Sequence, residues 1–219
     1  MDDMNTVWQY LLSLLSTKPT GLQIDIILDN AGFELFTDLC FAEFLLFHGI
    51  AKKVKFHGKR MPWFVSDVTR EDFEWSLSEL SSNKDNQLAA MAKRWQQHLR
   101  DGSWLYTSHD YWTLPHDFAH MKSTCPELYE ELSEADFLFF KGDLNYRKLT
   151  GDLLWPTTSS FHATLRGFHP APLVSLRTLK SDLVVGLKEG RAQEIQENDK
   201  DWMLTGTWAV IQSSFERKK

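Results

Sequence analysis

Acidic side chains follow three apolar segments of this chain, each of which is predicted to be the end of a strand. LQIDIIL runs into Asp29 and Asn30, PWFVS runs into Asp67, and DFLFFKG runs into Asp143. If the three aspartates converge, their charges repel each other unless a cation lies between them. Carboxylate and amide oxygens are ligands that Mg2+, Mn2+ and similar divalent ions accept. The residue types therefore predict a divalent-metal site in which Asn30 ligates without adding charge.

A simpler interpretation stays open for each aspartate alone, because Asp is a common helix N-cap and turn former. Cations near the same segments favour the site. Lys141, Arg147 and Lys148 flank Asp143, and Arg177 and Lys180 follow the apolar segment LVSL. A metal beside two or three cations suits a phosphoryl group, whose oxygens Arg and Lys would hold. The alternative is that Arg147, Lys148 and Lys180 are solvated surface charges.

Other catalytic motifs fit the sequence less well. HDFAH, residues 116 to 120, has two histidines at the spacing of a zinc helix, but Asp117 stands where that motif needs Glu. Ala31 stands where an Asp-x-Asp phosphatase would have its second aspartate. The sequence contains no GxxxxGK[ST], GxGxxG or GxSxG motif.

The elements that must position these residues alternate between strands and amphipathic helices. Hydrophobic periodicity and turn residues predict strands at 22–28, 53–57, 103–108, 136–140, 173–177 and 207–212, with an apolar run at 61–67. They predict helices beginning at Asn5, Thr69 and Pro126 and at 32–48, 86–101 and 157–166. This order is typical of an α/β fold, three-layer and Rossmann-like, with a largely parallel sheet flanked by helices. Ligands bind at the carboxyl ends of the strands in such sheets.

Composition narrows the function classes. The 219 residues are 42% hydrophobic, enough for a single α/β domain over residues 1–219. A net charge of -6 argues against a nucleic-acid or anionic-membrane surface, although a small phosphorylated ligand needs only local cations. The acidic amino terminus is unlike a signal peptide, and no apolar run reaches membrane-spanning length. The two cysteines have neither a CxxC nor another metal-ligand spacing and give no disulfide framework, which indicates a cytoplasmic or nuclear protein.

Four segments in order resemble the metal-dependent damage-control phosphatases, built on the domain once called domain of unknown function 89. They are ILDNAGFEL, WFVSD, FFKGDLNYRKL and RTLK, residues 177 to 180. RTLK resembles the RTxK signature of the subgroup also named acidic-residue methyltransferase, or protein-glutamate O-methyltransferase. Members of that subgroup have a substantial helical region before the first segment. The resemblance therefore implies that this chain is the carboxyl-terminal catalytic part, with the amino-terminal helical region largely absent.

The resemblance also implies roles for individual residues. Asp29, Asn30 and Asp67 would be the catalytic metal ligands, with Mn2+, Co2+ or Ni2+ bound. The residues that would contact the substrate are these three together with Glu34, Asp143, Leu144, Asn145, Tyr146, Arg147 and Lys180. The implied activity is hydrolysis of small phosphorylated metabolites, notably fructose 1-phosphate and fructose 6-phosphate, by attack of an aspartate or a metal-activated water.

Two alternatives to the phosphatase are retained. The subgroup's other assigned activity is methyl transfer from S-adenosylmethionine to glutamate carboxylates, which would make another protein the substrate. No glycine-rich loop of the common S-adenosylmethionine-binding kind follows the first predicted strand. The second alternative is an inactive truncated isoform that keeps only metal affinity.

Overall fold

The computed structural model describes residues 1–216 of the chain. The chain divides into two compact units. Unit 1 consists of Met1–Tyr10 and Pro115–Lys219, and unit 2 is Leu11–Leu114. Each unit contains its own strands, helices and part of the predicted site. A single domain over residues 1–219 stays a prediction.

Strands and helices alternate along the described chain. The strands are β1 (Leu22–Ile27), β2 (Ala51–Gly58), β3 (Trp104–Ser108), β4 (Phe137–Lys141), β5 (Leu173–Thr178) and β6 (Ala209–Ser214). The helices are α1 (Met4–Thr17), α2 (Phe33–Phe47), α3 (Arg70–Ser81), α4 (Asn86–Asp101), α5 (Met121–Thr124), α6 (Pro126–Ser133), α7 (Gly142–Thr150), α8 (Phe161–Thr164) and α9 (Arg191–Asn198). No helix within residues 1–216 combines the length and the apolar character that crossing a membrane requires.

In unit 2 the three strands are parallel, with β2 between β1 and β3. Apolar residues of these strands, such as Ile24, Val54 and Phe56, are buried. Trp95 of α4 and Trp104 of β3 are fully buried and lie 5.9 Å apart between ring centroids. Parallel strands joined by helices bury both faces of the sheet, which explains the nearly continuous apolar character of β1. These two tryptophans are core residues.

In unit 1 strand β5 lies between β4, to which it is parallel, and β6, to which it is antiparallel. Three aromatic side chains, Phe118, Phe140 and Phe168, contact each other with centroid distances of 5.5 to 5.9 Å. All three are buried. The mostly parallel strands and the alternating helices of both units confirm the predicted α/β class.

The apolar run at 61–67 is not a buried strand that ends in Asp67, so that part of the prediction was wrong. Val65 is 100% exposed, and the run forms bends and turns. The Asp67 carboxylate accepts the backbone N–H groups of Trp63 and Phe64, each at 2.8 Å, which folds the segment into a turn. Local bonds of this kind compete with a strand ladder. Pro62 adds to the effect because it has no N–H to donate.

Three element boundaries also differ from prediction. Helix α1 begins at Met4 rather than Asn5, because Asp2 Oδ1 accepts the Met4 N–H at 2.9 Å. Strand β2, which was predicted to end at His57, continues to Gly58, where a Cβ would overlap the Tyr106 hydroxyl. The helix predicted at 157–166 shortens to α8.

Helix α3 begins with the predicted cap. Thr69 Oγ1 accepts the Asp72 N–H, and Asp72 Oδ2 accepts the Thr69 N–H at 2.9 Å. We expect Thr69→Ala to lower the free energy of unfolding by about 1 kcal/mol, because it leaves orphan N–H groups in the first turn. Urea denaturation would measure the change. Ser81→Ala, at the exposed end of the same helix, is the matched control, and an equal loss in both variants would contradict the capping role.

Candidate functional site

The predicted metal ligands lie in unit 2, where a short segment joins the ends of two parallel strands. Val68 donates its N–H to the Asp29 carbonyl at 3.0 Å, just beyond the end of β1. Lys59, just beyond β2, donates its N–H to the Val68 carbonyl at 2.8 Å. Asp67 therefore reaches the carboxyl ends of β1 and β2 through a loop rather than as a strand end. This is the edge at which open α/β sheets bind ligands.

Asn30 and Asp67 form an isolated antiparallel bridge. Its two hydrogen bonds run from Ala31 N–H to the Ser66 carbonyl, at 2.7 Å, and from Val68 N–H to the Asp29 carbonyl. Bonds at the flanking residues make Asn30 and Asp67 a non-hydrogen-bonded pair, in which opposing side chains share one face and approach closely. The backbone thus places the amide of Asn30 beside the carboxylate of Asp67.

The Asn30 side chain is the centre of a polar network. Its Nδ2 donates to Asp29 Oδ2 at 2.6 Å and to Glu34 Oε2 at 2.9 Å. Its Oδ1 accepts the Ser66 hydroxyl at 2.6 Å. We call Asp29, Asn30, Glu34, Lys59, Ser66 and Asp67 the Asn30 cluster. Four residues that the sequence predicted for one site therefore lie together in this unit.

Two members of the Asn30 cluster were missed by sequence reasoning. Lys59 Nζ donates to Asp67 Oδ1 at 2.8 Å, and the two side chains are only 4% and 1% exposed. Lys59 balances the charge of Asp67, while the other carboxylate oxygen is held by two backbone N–H groups. A lysine directly after a buried strand could have been recognised as a candidate. Ser66 gave no sequence signal beyond its position next to Asp67.

The turn between Asn30 and α2 depends on Gly32. Gly32 has φ 70°, a conformation that L side chains rarely adopt, and it precedes the first residue of the helix. A Cβ there would meet no described atom within 4 Å, so the backbone conformation and not close packing requires glycine. Glu34 lies in the first turn of α2, where a negative side chain is favoured by the helix dipole.

The remaining predicted residues lie in unit 1, around Asp143 at the start of α7. Arg177 Nε donates to Asp143 Oδ1 at 2.8 Å, and the arginine also donates to Ser181 Oγ at 2.8 Å and to the Leu183 carbonyl. The Arg177 guanidinium lies 4.2 Å from the centre of the Tyr146 ring. The Arg177 side chain is 0% exposed. Sequence reasoning placed Arg177 among the cations for a phosphate, but here it holds Asp143 and the loop after β5.

Lys180 follows β5 and approaches Asp143 through its backbone. Its N–H donates to Asp143 Oδ1 at 3.2 Å, and the residue is exposed. We call Asp143, Tyr146, Arg177, Lys180 and Ser181 the Asp143 cluster. The cluster lies at the carboxyl ends of the parallel strands β4 and β5. Convergence of Asp143 with Asp29 and Asp67 on one site stays a prediction.

Three other predicted substrate contacts are buried in unit 1. Tyr146 is fully buried, its hydroxyl donates to Gln212 Oε1 at 2.7 Å, and burial raises its pKa. Asn145 Nδ2 donates to the Lys141 carbonyl at 2.8 Å. Leu144 is also buried. The bonds of Tyr146 and Asn145 fix the first turns of α7, and substrate contact by the three residues stays a prediction.

Arg147 and Asp152 form a bidentate ion pair. The two donor–acceptor distances are 2.9 and 2.7 Å. The Arg147 guanidinium holds the pKa of the Asp152 carboxyl below its ordinary value of 3.8, and Asp152 raises the pKa of Arg147. Arg147 is therefore positioned by a carboxylate rather than solvated on its own.

This ion pair predicts a pH dependence. A carboxyl group whose pKa falls on folding stabilises the folded state above its unfolded pKa, and that contribution is lost as the pH falls through the folded pKa. Because the Asp152 side chain is 54% exposed, we expect a contribution below about 1 kcal/mol. Unfolding free energies measured across the acid range should show this loss in the unmutated chain and not in Asp152→Asn. Identical pH profiles would contradict the assignment.

The two histidines of HDFAH do not share one helix. The helical turn begins at Phe118, after His116, and His120 Nδ1 lies 2.9 Å from Asp117 Oδ1. Asp117 also binds Arg166 at 2.8 Å. The i, i+4 zinc arrangement is therefore not formed.

Comparison with known proteins identifies the family to which this chain is related. The model of the damage-control phosphatase ARMT1-like domain matches residues 1–195. Damage-control phosphatase ARMT1 of Danio rerio is 48% identical over 98% of this chain and 48% of its own length. The Homo sapiens protein of that name is 42% identical over 97% of this chain and 48% of its own length. The chain thus spans about half the length of these relatives.

A solved DUF89 family protein from Pyrococcus horikoshii has a TM-score of 0.49 and 18% sequence identity to this chain. The match covers 100% of this chain and 53% of that one. The family model and the relatives establish the relationship that the sequence indicated. The chain belongs to the damage-control phosphatase ARMT1-like family.

Proposed function

We propose that this chain is a metal-dependent phosphatase that hydrolyses small phosphomonoesters, with fructose 1-phosphate and fructose 6-phosphate as its substrates. The observation that carries the proposal is the pairing of Asn30 with Asp67, next to Asp29, at the carboxyl ends of β1 and β2. Relatives named damage-control phosphatase, 42% to 48% identical, support the reaction class.

The Asn30 cluster fits a divalent cation by the chemistry of its donors. Asp29 and Asp67 offer carboxylate oxygens and Asn30 an amide oxygen, all hard ligands of the kind that Mn2+ accepts. A carboxylate has about four lone-pair sites. Asp67 uses three of them for Lys59 and the two backbone N–H groups, so it retains acceptor capacity. The bound ion, Mn2+, Co2+ or Ni2+ in this proposal, would polarise the phosphoryl group and neutralise its charge.

The protein's own residues have separate tasks in this proposal. Asp29, Asn30 and Asp67 would hold the ion, and the hydrogen bonds to Asn30 would fix the orientation of its amide. Lys59 holds the Asp67 carboxylate in place through the ion pair. Glu34, fixed by Asn30 Nδ2, would accept a hydroxyl of the sugar. Arg147 and Lys180 would bind phosphate oxygens that the ion does not contact.

The direct test measures phosphate release by the metal-free chain before and after addition of Mn2+, Co2+ or Ni2+. We expect release from fructose 1-phosphate and fructose 6-phosphate that requires metal and stops when EDTA is added. No metal-dependent release from either sugar phosphate would refute the proposal. A parallel assay with p-nitrophenyl phosphate would show whether the chain hydrolyses phosphomonoesters at all, even if neither sugar phosphate is a substrate.

Lys180→Ala tests substrate binding in isolation. Because Lys180 is exposed, its removal should leave the fold intact, whereas loss of a charge-assisted bond to phosphate should raise KM by about 10-fold or more. Steady-state kinetics with fructose 1-phosphate would measure the change. Lys188→Ala, an exposed lysine further along unit 1, is the control. If both variants keep the KM of the unmutated chain, Lys180 does not bind the phosphate.

A further inference from the structure

A second group of ligating side chains lies in unit 1 and takes no part in the proposed phosphatase chemistry. His162 is in α8, His169 precedes β5, and Glu216 follows β6. One ligand atom from each of these residues lies within 4.8 Å of the other two. Three separate parts of the fold therefore bring two imidazoles and a carboxylate together.

The nitrogen and oxygen atoms of the three side chains lie close to one another. His162 Nε2 lies 2.8 Å from Glu216 Oε2, and His169 Nε2 lies 4.0 Å from the same oxygen. The two imidazole rings are stacked, with centroids 4.5 Å apart and planes 19° apart. A simple ion pair between His162 and Glu216 gives no reason for a second imidazole to direct the same nitrogen at the same oxygen.

A neighbouring group orients the first histidine. His162 Nδ1 lies 2.9 Å from Ser214 Oγ, at the end of β6. A hydrogen bond at one ring nitrogen holds the orientation of the ring and leaves the other nitrogen to ligate a metal, as is usual for metal-binding histidines. The His169 side chain is 3% exposed, so its packing limits the positions that its ring can take.

We propose that His162, His169 and Glu216 form a binding site for Zn2+ or a similar borderline divalent ion. Zinc binds imidazole nitrogen and carboxylate oxygen at about 2.0 to 2.2 Å in tetrahedral sites, which places ligand atoms about 3.4 Å apart. The observed separations of 2.8 and 4.0 Å lie on either side of that value. Small side-chain movements would therefore suffice to admit the ion.

The donor set also separates this site from the Asn30 cluster. Two imidazoles and one carboxylate favour Zn2+, Co2+ or Ni2+ over Mg2+ and Ca2+, which prefer oxygen ligands. Three protein ligands leave the fourth tetrahedral position to a water molecule. Because the ligands come from α8, from the loop before β5 and from the residues after β6, the ion would tie these parts together and stabilise the fold. The proposal does not depend on the phosphatase activity.

The test titrates Zn2+ into the Asp29→Asn chain by calorimetry, so that metal binding by the Asn30 cluster is reduced. We expect one zinc ion bound per chain, and we expect His162→Gln and Glu216→Gln, each added to this background, to weaken binding by more than about 10-fold. Both side chains are more than a third exposed, at 48% and 41%, so these variants should fold. Circular dichroism would verify the fold.

A matched control uses another histidine–carboxylate pair. His120, 59% exposed, lies 2.9 Å from Asp117 and is not part of the group formed by His162, His169 and Glu216, so His120→Gln should leave zinc affinity unchanged. Zinc should also raise the thermal midpoint of the unmutated chain but not that of His162→Gln. The proposal is overturned if the parent chain binds no zinc, if the two cluster variants weaken binding by less than 10-fold, or if His120→Gln weakens it equally. Loss of phosphatase activity alone would not affect it.

Discussion

Asp29→Asn is expected to reduce metal-dependent phosphate release by at least about 100-fold, and to weaken binding of Mn2+. The substitution keeps the size of the side chain and removes its negative charge. The amide oxygen of the new residue can still accept the Asn30 Nδ2–H that Asp29 Oδ2 accepts now at 2.6 Å. The local hydrogen bonds should therefore survive while the charge that attracts the ion is lost. Phosphate release and calorimetric metal titration measure the two effects separately.

The control for this substitution is Asp110→Asn. Asp110 lies in the same unit and forms an exposed ion pair with Arg60 at 2.8 Å, so its charge change is equal but falls on a residue outside the Asn30 cluster. We expect Asp110→Asn to behave as the unmutated chain in both measurements. If Asp29→Asn also kept full activity and full Mn2+ affinity, Asp29 would not be a metal ligand. If Asp29→Asn lost activity but not metal affinity, it would act on the substrate instead.

Hydrophobic periodicity, together with turn and capping residues, predicted most of the helices and strands that carry the site. Strand β1 and helix α4 follow from local patterns: a continuous apolar run in the first case, and a 3.6-residue period stopped by Gly102 in the second. The cap at Thr69 also follows from a local pattern. The Asp29–Asn30 pair could be recognised because it directly follows the apolar segment that forms β1.

The route by which Asp67 reaches the site could not be predicted in this way. An apolar run before an aspartate is typical of a strand, but here the carboxylate binds the N–H groups of Trp63 and Phe64 and turns the chain. The bridge to Asn30 joins residues 37 positions apart, and no local pattern encodes such a pairing. The burial of Lys59 depends on the same tertiary contact. Sequence thus identified the ligand types but not the loop that assembles them.

The role of Arg177 was also beyond sequence reasoning. RTLK can be recognised as a basic segment after a strand, which suggests that both of its cations meet the substrate. The fold instead separates them: Arg177 is buried against Asp143 and Tyr146, whereas Lys180 is exposed. A guanidinium satisfies several acceptors at once with its planar array of donors, which suits it to the buried position. The difference between Arg177 and Lys180 arises from burial, and the type of a residue alone does not determine whether it is buried.

Arg177→Met is expected to destabilise unit 1 by about 3 to 5 kcal/mol, because it leaves the Asp143 carboxylate without its buried partner. It also removes the donors to Ser181 and to the Leu183 carbonyl. Arg177→Lys should restore only part of the stability, because one ammonium cannot make the divergent bonds of the guanidinium. Chemical denaturation measures each free energy of unfolding. Arg191→Met is the control, since Arg191 forms an exposed pair with Glu194 and should change stability by less than about 1 kcal/mol.

The double variant Arg177→Met with Asp143→Leu separates the cost of an unpaired charge from the loss of packing. Replacing both members of a buried ion pair by apolar residues is often far less harmful than removing one. We therefore expect the double variant to be more stable than Arg177→Met alone, although it lacks the Asp143 carboxylate entirely. If instead the two losses simply add, Asp143 and Arg177 are not energetically coupled, and the 2.8 Å contact does not organise the loop after β5.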